Sequence, residues 1–328
     1  MDNGQCEICQ NSSGNKIVVA REMMFGYRDK FEYLECSSCG CLQLRDKPAN
    51  PGRYYPQDYY PTTRSVQRGA LKRRLSHERA KYCLEGTSLI GKLLLRMYGR
   101  PTCGIFGDPD YYVWLRKCHI TFGSRIADVG CGAATLLHRL HADGFSDLTG
   151  IDPYIKSNIV FDAGFKVLKE EIYNLDEKFD LIMLHHTFEH LAEPLRVLQH
   201  LYRLLTPNGH VLIRIPIASS FAYKKYGTNW VQLDAPRHLF LHTIKSINIL
   251  AAQAGFKLTE VAYDSTDFQF WASEQYIRDI PLKDERSYAL NPAGSGFSRE
   301  DILKFKEAAR ELNQKEAGDS ACVYLHKH

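Results

Sequence analysis

A chain of 328 residues, 44% hydrophobic and 24% charged, is long enough to bury a sizeable core, and one large domain with a small companion fits that length. The formal charge of +4, from 42 basic and 38 acidic residues, is too balanced to argue by itself for a stable nucleic-acid partner, and there is no strongly charged tail. No apolar run approaches the ~20 residues that span a bilayer, and the first residues lack the basic and apolar regions of a signal peptide, so a cytosolic protein is expected.

Ten cysteines in such a chain read as reduced thiols and metal ligands rather than disulfides. Residues 1–62 carry Cys6-Glu-Ile-Cys9 and Cys36-Ser-Ser-Cys39, two C-x2-C knuckles separated by strand-forming sequence. Four thiolates in that pairing suit tetrahedral Zn2+ in a closed, structural site, so Cys6, Cys9, Cys36 and Cys39 are the expected ligands and Cys41 a bystander. The stretch Tyr54-Tyr-Pro-Gln-Asp-Tyr-Tyr60 cannot form a regular helix, and its rings are expected to pack the module against its neighbour or, second, to line a substrate cleft. Residues 63–107 are a basic linker, with Arg64, Arg68, Lys72, Arg73, Arg74, Arg79, Lys81, Lys92, Arg96 and Arg100. Leu71 and Leu75 at helical spacing predict an amphipathic helix with a basic face, either solvated or laid on a diphosphate, an anionic membrane surface or RNA.

From residue 108 the pattern predicts a helix over 108–123 and then alternating strands and helices. Strands are expected at 125–130, 147–152, 166–168, 179–184 and 210–216, with helices near 134–143, 190–205 and 243–254. This is the signature of a doubly wound parallel α/β sheet. Its organising stretch runs from Arg125 through Asp128-Val-Gly-Cys-Gly132 to Leu140: a buried strand, a tight glycine turn and a helix start. Gly130 and Gly132 let a ligand approach the backbone, the helix offers unpaired N–H groups, and Asp128 and Asp152 are placed to accept from an amine and a ribose. A dinucleotide fingerprint would need a third glycine where Thr135 stands.

The order Asp-Val-Gly-Cys-Gly resembles motif I of the class I S-adenosylmethionine (SAM) methyltransferases, with Ala134 where that family commonly has glycine. The strand regions Lys178–Leu191 and Leu204–Pro216 resemble the fourth and fifth strands of the same family, so the resemblance covers 125–262. It implies a Rossmann-like seven-stranded sheet whose last two strands form an antiparallel edge hairpin. The methyltransferase domain would occupy 108–328, with 265–320, including a charged helix at 298–316, as an elaboration before the final strand. It also implies a SAM site formed by Asp128, Gly130, Cys131, Gly132, Asp152 and Pro153, with Glu171 and Ile172 bordering the adenine and His185 and His186 beside the methionine part.

His186-Thr-Phe-Glu-His190 also spells H-x-x-E-H, an inverted zinc-peptidase signature that would require a second zinc. The segment 217–242 lies beyond a strand's carboxyl end, where such sheets bind ligands, and supplies Trp230, Asp234, Arg237 and His238 as acceptor-site candidates. It looks like the Trp-x-x-x-Asp-x-Pro-Arg-His element of polysaccharide-cluster methyltransferases. Related zinc-bearing sugar C-methyltransferases carry His-Glu-His here, of which only His238 remains, after Pro236 and Arg237. Arg214, a charge inside an apolar strand, requires a partner, either an ion pair or a phosphate.

An acceptor hydroxyl must lose a proton as it attacks, and a histidine titrating near neutrality suits that role; His238 is the expected base and His190 the second choice. The expected function is SAM-dependent methylation of a nucleotide-linked or lipid-linked sugar in surface-polysaccharide assembly, with no stable nucleic-acid partner and a location that is cytoplasmic or peripheral to a membrane. The alternatives are an RNA methyltransferase and a zinc-bearing binding protein without catalysis. Oligomeric state is left open.

Overall fold

A computed structural model describes residues 4–55, 69–99, 111–162 and 164–327. Three strands come first: β1 (Lys16–Arg21), β2 (Lys30–Glu35) and β3 (Leu42–Leu44). Helices α1 (Ala70–Glu85), α2 (Leu89–Tyr98) and α3 (Tyr111–Lys117) follow. Arg64, Arg68, Arg100 and the tyrosines Tyr59 and Tyr60 lie outside the described residues. The main sheet begins with β4 (Arg125–Val129), and continues with α4 (Thr135–Asp143), β5 (Asp147–Ile151), β6 (Ile159–Asp162), β7 (Phe165–Leu168), β8 (Phe179–His185), α5 (Pro194–Leu204) and β9 (Leu205–Pro216). The remainder is α6 (Phe221–Tyr226), β10 (Phe240–Leu241), α7 (Ile244–Gln253), β11 (Phe256–Tyr263), α8 (Phe268–Ile277), α9 (Arg299–Gln314) and β12 (Ser320–Lys327).

The eight-stranded sheet has the order β11-β12-β9-β8-β4-β5-β7-β6. Its centre is parallel, and β12 enters antiparallel between β9 and β11, which gives the expected edge hairpin. The strand beyond the expected seven is β6, a short antiparallel addition to β7. Burial on both faces explains the unbroken apolar runs: Leu181, Ile182, Met183 and Leu184 of β8 are each at most 1% exposed.

A second sheet, β1-β2-β3-β10, is not closed within the first 62 residues: its last strand comes from the 217–242 segment, where Phe240 and Leu241 pair with Gln43 and Leu42. The second knuckle also docks on α7. Thr243 caps that helix by accepting from the Ser246 N–H and donates its hydroxyl to the Cys39 carbonyl at 2.6 Å, while Lys245 Nζ donates to the Ser38 carbonyl.

The basic helix differs from the sequence reading. Leu71 is 72% exposed, and α1 buries Ser76, Ala80 and Cys83 instead, because small side chains let it approach α4 closely. His77 pairs with the Asp143 carbonyl at 2.9 Å, so α1 is attached to the large domain rather than being a free linker. Lys72, Arg73 and Arg74 remain exposed. No helix of the described residues is long and apolar enough to cross a membrane.

Candidate active site

The cofactor turn follows β4. Gly130 and Gly132 take φ of +72° and +50°, and Gly130 lies so close to the next loop that a Cβ there would stand 2.3 Å from Thr187 Oγ1. Ala134 also adopts the left-handed conformation, φ +53°, at the start of α4, which is why glycine is the easier residue at that position. Asp152, at the end of β5, accepts the Gly132 N–H at 2.9 Å and the Tyr154 N–H at 2.8 Å, and so shapes the turn from the opposite side. Asp128 is 5% exposed, and burial first, then the Asp152 charge, pushes its carboxyl up to about 7. Two buried acids facing one turn are uncomfortable alone and suit a ligand bearing positive charge. Ile172 is buried at the start of a short turn after β7, next to Glu171. His185 stacks on Trp114 at 4.6 Å between centroids, and burial holds it neutral, with its pKa well below the ordinary value.

The loop after β8 carries His186, Thr187, Phe188, Glu189 and His190. Phe188–His190 is a single 3-10 turn, not the α-helix of a zinc peptidase, and His186 Nε2 already accepts from Arg214 at 2.7 Å. The peptidase constellation is therefore not formed. Arg214 is only 3% exposed and also pairs with Asp264, so the partner it requires is an internal carboxylate, and its guanidinium is not presented to an acceptor.

The 217–242 candidates divide into two groups. Trp230 is 1% exposed with its indole N–H donated to Asp319 at 2.9 Å. Arg237 is likewise 1% exposed, and binds Asp234 at 2.6 Å, Glu22 at 2.9 Å and the Tyr54 carbonyl at 3.3 Å. Trp230 and Arg237 thus fasten the segment from within instead of lining an open acceptor surface, and Asp234 is spent on Arg237. His238, by contrast, faces the loop after β8: its ring lies 4.7 Å from that of His190, and its Nε2 is 3.9 Å from Glu189. Burial first, then the His190 charge, pushes His238 down to about 4, away from the near-neutral value that singled it out in the sequence.

Glu189 was missed by sequence reasoning as a site residue. It is 1% exposed, and among the described residues neither carboxylate oxygen has a hydrogen bond of good geometry. The only signal for it was its place in the H-x-x-E-H string. At the amino-terminal module, the four expected thiols converge: Cys6 and Cys39 Sγ stand 3.7 Å apart and Cys9 and Cys36 Sγ 3.5 Å apart. Sulfurs around a tetrahedral ion with ~2.3 Å bonds would be about 3.8 Å apart, so the donor set fits zinc. Cys41 lies outside the four, against His242. A cleft of about 770 Å³ lined by Lys117, His119, Asp180 and His210 opens at the amino ends of the strands, away from the turn and both clusters.

A family model described as a methyltransferase domain matches residues 80–261, more than half of the chain. The chain belongs to the SAM-dependent methyltransferase family. Among curated relatives, the tRNA U34 carboxymethyltransferase of Sulfurimonas denitrificans is 26% identical over 204 residues, 54% of this chain and 65% of the relative. The ubiquinone biosynthesis O-methyltransferase of Azorhizobium caulinodans is 30% identical over 157 residues, 43% of this chain and 61% of the relative. This methyltransferase therefore spans less than two thirds of the length of either. A SAM-dependent methyltransferase from Mesorhizobium loti, solved as a crystal structure, aligns at TM-score 0.43 and 18% identity, over 66% of this chain and 97% of that one.

Proposed function

We propose that the chain methylates a hydroxyl of a sugar acceptor, nucleotide-linked or lipid-linked, using SAM. One observation carries the reading: the Gly130 turn touches the loop that bears Glu189 and His190, so the cofactor cradle and the polar cluster open at the same end of the sheet. Asp128 and Asp152 would hold the amine and ribose of SAM, with Ile172 against the base. Bound there, SAM supplies a methyl group made electrophilic by its sulfonium. The protein then has to align the acceptor, exclude water and accept the hydroxyl proton. His190 and His238, each with Nδ1 on a backbone carbonyl, leave Nε2 available on the acceptor side. The sugar assignment rests on the resemblance of the Trp230–His238 element to polysaccharide-cluster methyltransferases. We also propose that Cys6, Cys9, Cys36 and Cys39 hold a structural zinc ion.

The second reading, methylation of RNA, is favoured by the relative named as acting on tRNA and by the exposed Lys72, Arg73 and Arg74 of α1. SAM binding by calorimetry, followed by a product-mass screen against nucleotide sugars and against tRNA, decides between them. A methylated tRNA product with steeply salt-dependent binding would replace the sugar assignment, and no SAM affinity at all would leave a zinc-bearing binding protein.

Two further outcomes are expected. Since Asp128 is raised to about 7 in the free chain, a cationic ligand binds better once it is ionised. SAM affinity should rise by at most roughly tenfold per pH unit up to about pH 7, and Asp128→Asn should flatten that profile in calorimetric titrations and weaken binding. Stripping zinc with a strong chelator, or Cys36→Ser, should lower the thermal midpoint, because the second knuckle caps into α7 and β3 pairs with β10. An unchanged midpoint in metal-free protein would remove the structural role.

A further inference from the structure

Two groups of Cys, His, Asp or Glu side chains among the described residues are placed to share an ion: the four thiols, and Glu189, His190 and His238. We propose that this second group is a binding site for a divalent cation of the zinc, cobalt or manganese type. The role given to the ion, holding the acceptor oxygen and favouring loss of its proton to water, takes the place of the histidine base in the methyl-transfer reading above and rests on that reading; the site itself does not.

Three features of the cluster argue for it. First, the donor atoms converge. One atom from each residue lies within 4.8 Å of the other two. A tetrahedral ion with ~2.1 Å bonds needs about 3.4 Å between donors, which small side-chain rotations supply. Secondly, both histidines are held as ligands are held. His190 Nδ1 is 2.8 Å from the Arg237 carbonyl and His238 Nδ1 is 2.8 Å from the Gln232 carbonyl. A carbonyl can only accept, so each Nδ1 carries the proton and each Nε2 keeps a free lone pair; this carbonyl-fixed tautomer is what metal-binding histidines usually show. Thirdly, the Glu189 carboxylate is nine-tenths and more buried, and among the described residues neither oxygen has a hydrogen bond of good geometry. Its Oε1 has only long contacts, 3.5 Å to His186 Nδ1 and 3.9 Å to His238 Nε2. A buried carboxylate left without hydrogen bonds is expensive unless something cationic satisfies it.

The set is two imidazoles and one carboxylate. Three protein ligands leave one coordination position open, the composition of reactive rather than structural sites. Glu189 and His190 stand on the same loop as Thr187, which touches the Gly130 turn, so the site lies beside the cofactor cradle. The peptidase motif and this site share only Glu189 and His190; His186, committed to Arg214, is replaced as third ligand by His238 from a segment about 50 residues further on. A metal of this hardness discriminates the two centres: Mn2+ suits N and O donors and avoids four thiolates.

The test uses the intact chain without SAM or acceptor. Elemental analysis of the purified protein, and Mn2+ titration followed by electron paramagnetic resonance, should together find one equivalent of metal more in the wild type than in Glu189→Gln or His238→Asn. Cys36→Ser should keep that equivalent. Far-ultraviolet circular dichroism and retained thiol-bound metal check that the variants are folded. The site is overturned if the wild type binds no Mn2+ and holds no more metal than four thiols require, an arm that needs no variant, or if folded Glu189→Gln holds as much as the wild type. SAM affinity that survives loss of the extra ion leaves the methyl-transfer reading intact, and an ion that binds to a chain with no SAM affinity leaves the site intact without it.

Discussion

Gly130→Ala is expected to abolish measurable SAM binding while leaving a folded protein, and Gly130→Val to destabilise the fold as well. At φ +72° any Cβ is strained, and here it would also sit 2.3 Å from Thr187 Oγ1 and 3.1 Å from Thr187 Cβ. Left-handed strain of about 1–2 kcal/mol and overpacking of about 1–3 kcal/mol together make roughly 2–5 kcal/mol. Thr187 cannot simply turn aside, because its hydroxyl is donated to the His185 carbonyl at 3.2 Å and the clash extends to its Cβ. The loop bearing Glu189 must then shift. Calorimetry with SAM and urea unfolding measure the two losses separately. Adding Thr187→Ala should return part of the stability and little of the affinity; complete return of both would mean that the turn has no conformational requirement of its own.

Arg237→Met should be the most damaging single change in the 217–242 segment, lowering unfolding free energy by about 3–5 kcal/mol, the usual result of removing one partner from a buried ion cluster. Its side chain is 0% exposed and stands between Glu22, also 0% exposed, and Asp234 at 9%. Burial works against the ionised Asp234, and the Arg237 charge more than offsets it, holding that carboxyl below its ordinary value. Methionine fills most of the volume and supplies neither charge nor the five donors of the guanidinium. Arg237→Lys should recover only a part, since a single ammonium cannot serve both carboxylates and the Tyr54 carbonyl at once. Denaturant titration of the three proteins gives the comparison. Equal stability of Arg237→Met and wild type would remove the clamp.

The central sheet was legible because parallel strands buried on both faces leave long apolar runs, as in β8 and β9, and because glycines break them where the chain must turn. Helix ends followed capping residues, as at Ser298 of α9. What was not legible depended on partners distant in sequence. Leu71 and Leu75 have helical spacing, but α1 turns its small residues inward because α4 passes close by, and nothing in the local sequence encodes that neighbour. Trp230 and Arg237 look like ligand-contacting residues in a polar loop until Asp319 and Glu22 are found beside them. Glu189 was visible as a letter in a motif, yet its lack of hydrogen bonds is a property of three dimensions only.

The pairing of β10 with β3 also sets the unit in which this architecture can be exchanged between relatives. A chimera cut after residue 62 would leave Leu42 and Gln43 without their strand and Thr243 without the Cys39 carbonyl. The transplantable cassette is therefore discontinuous, the leading residues together with the stretch from Phe221 to Ser246. A graft that moved one piece without the other would break both junctions.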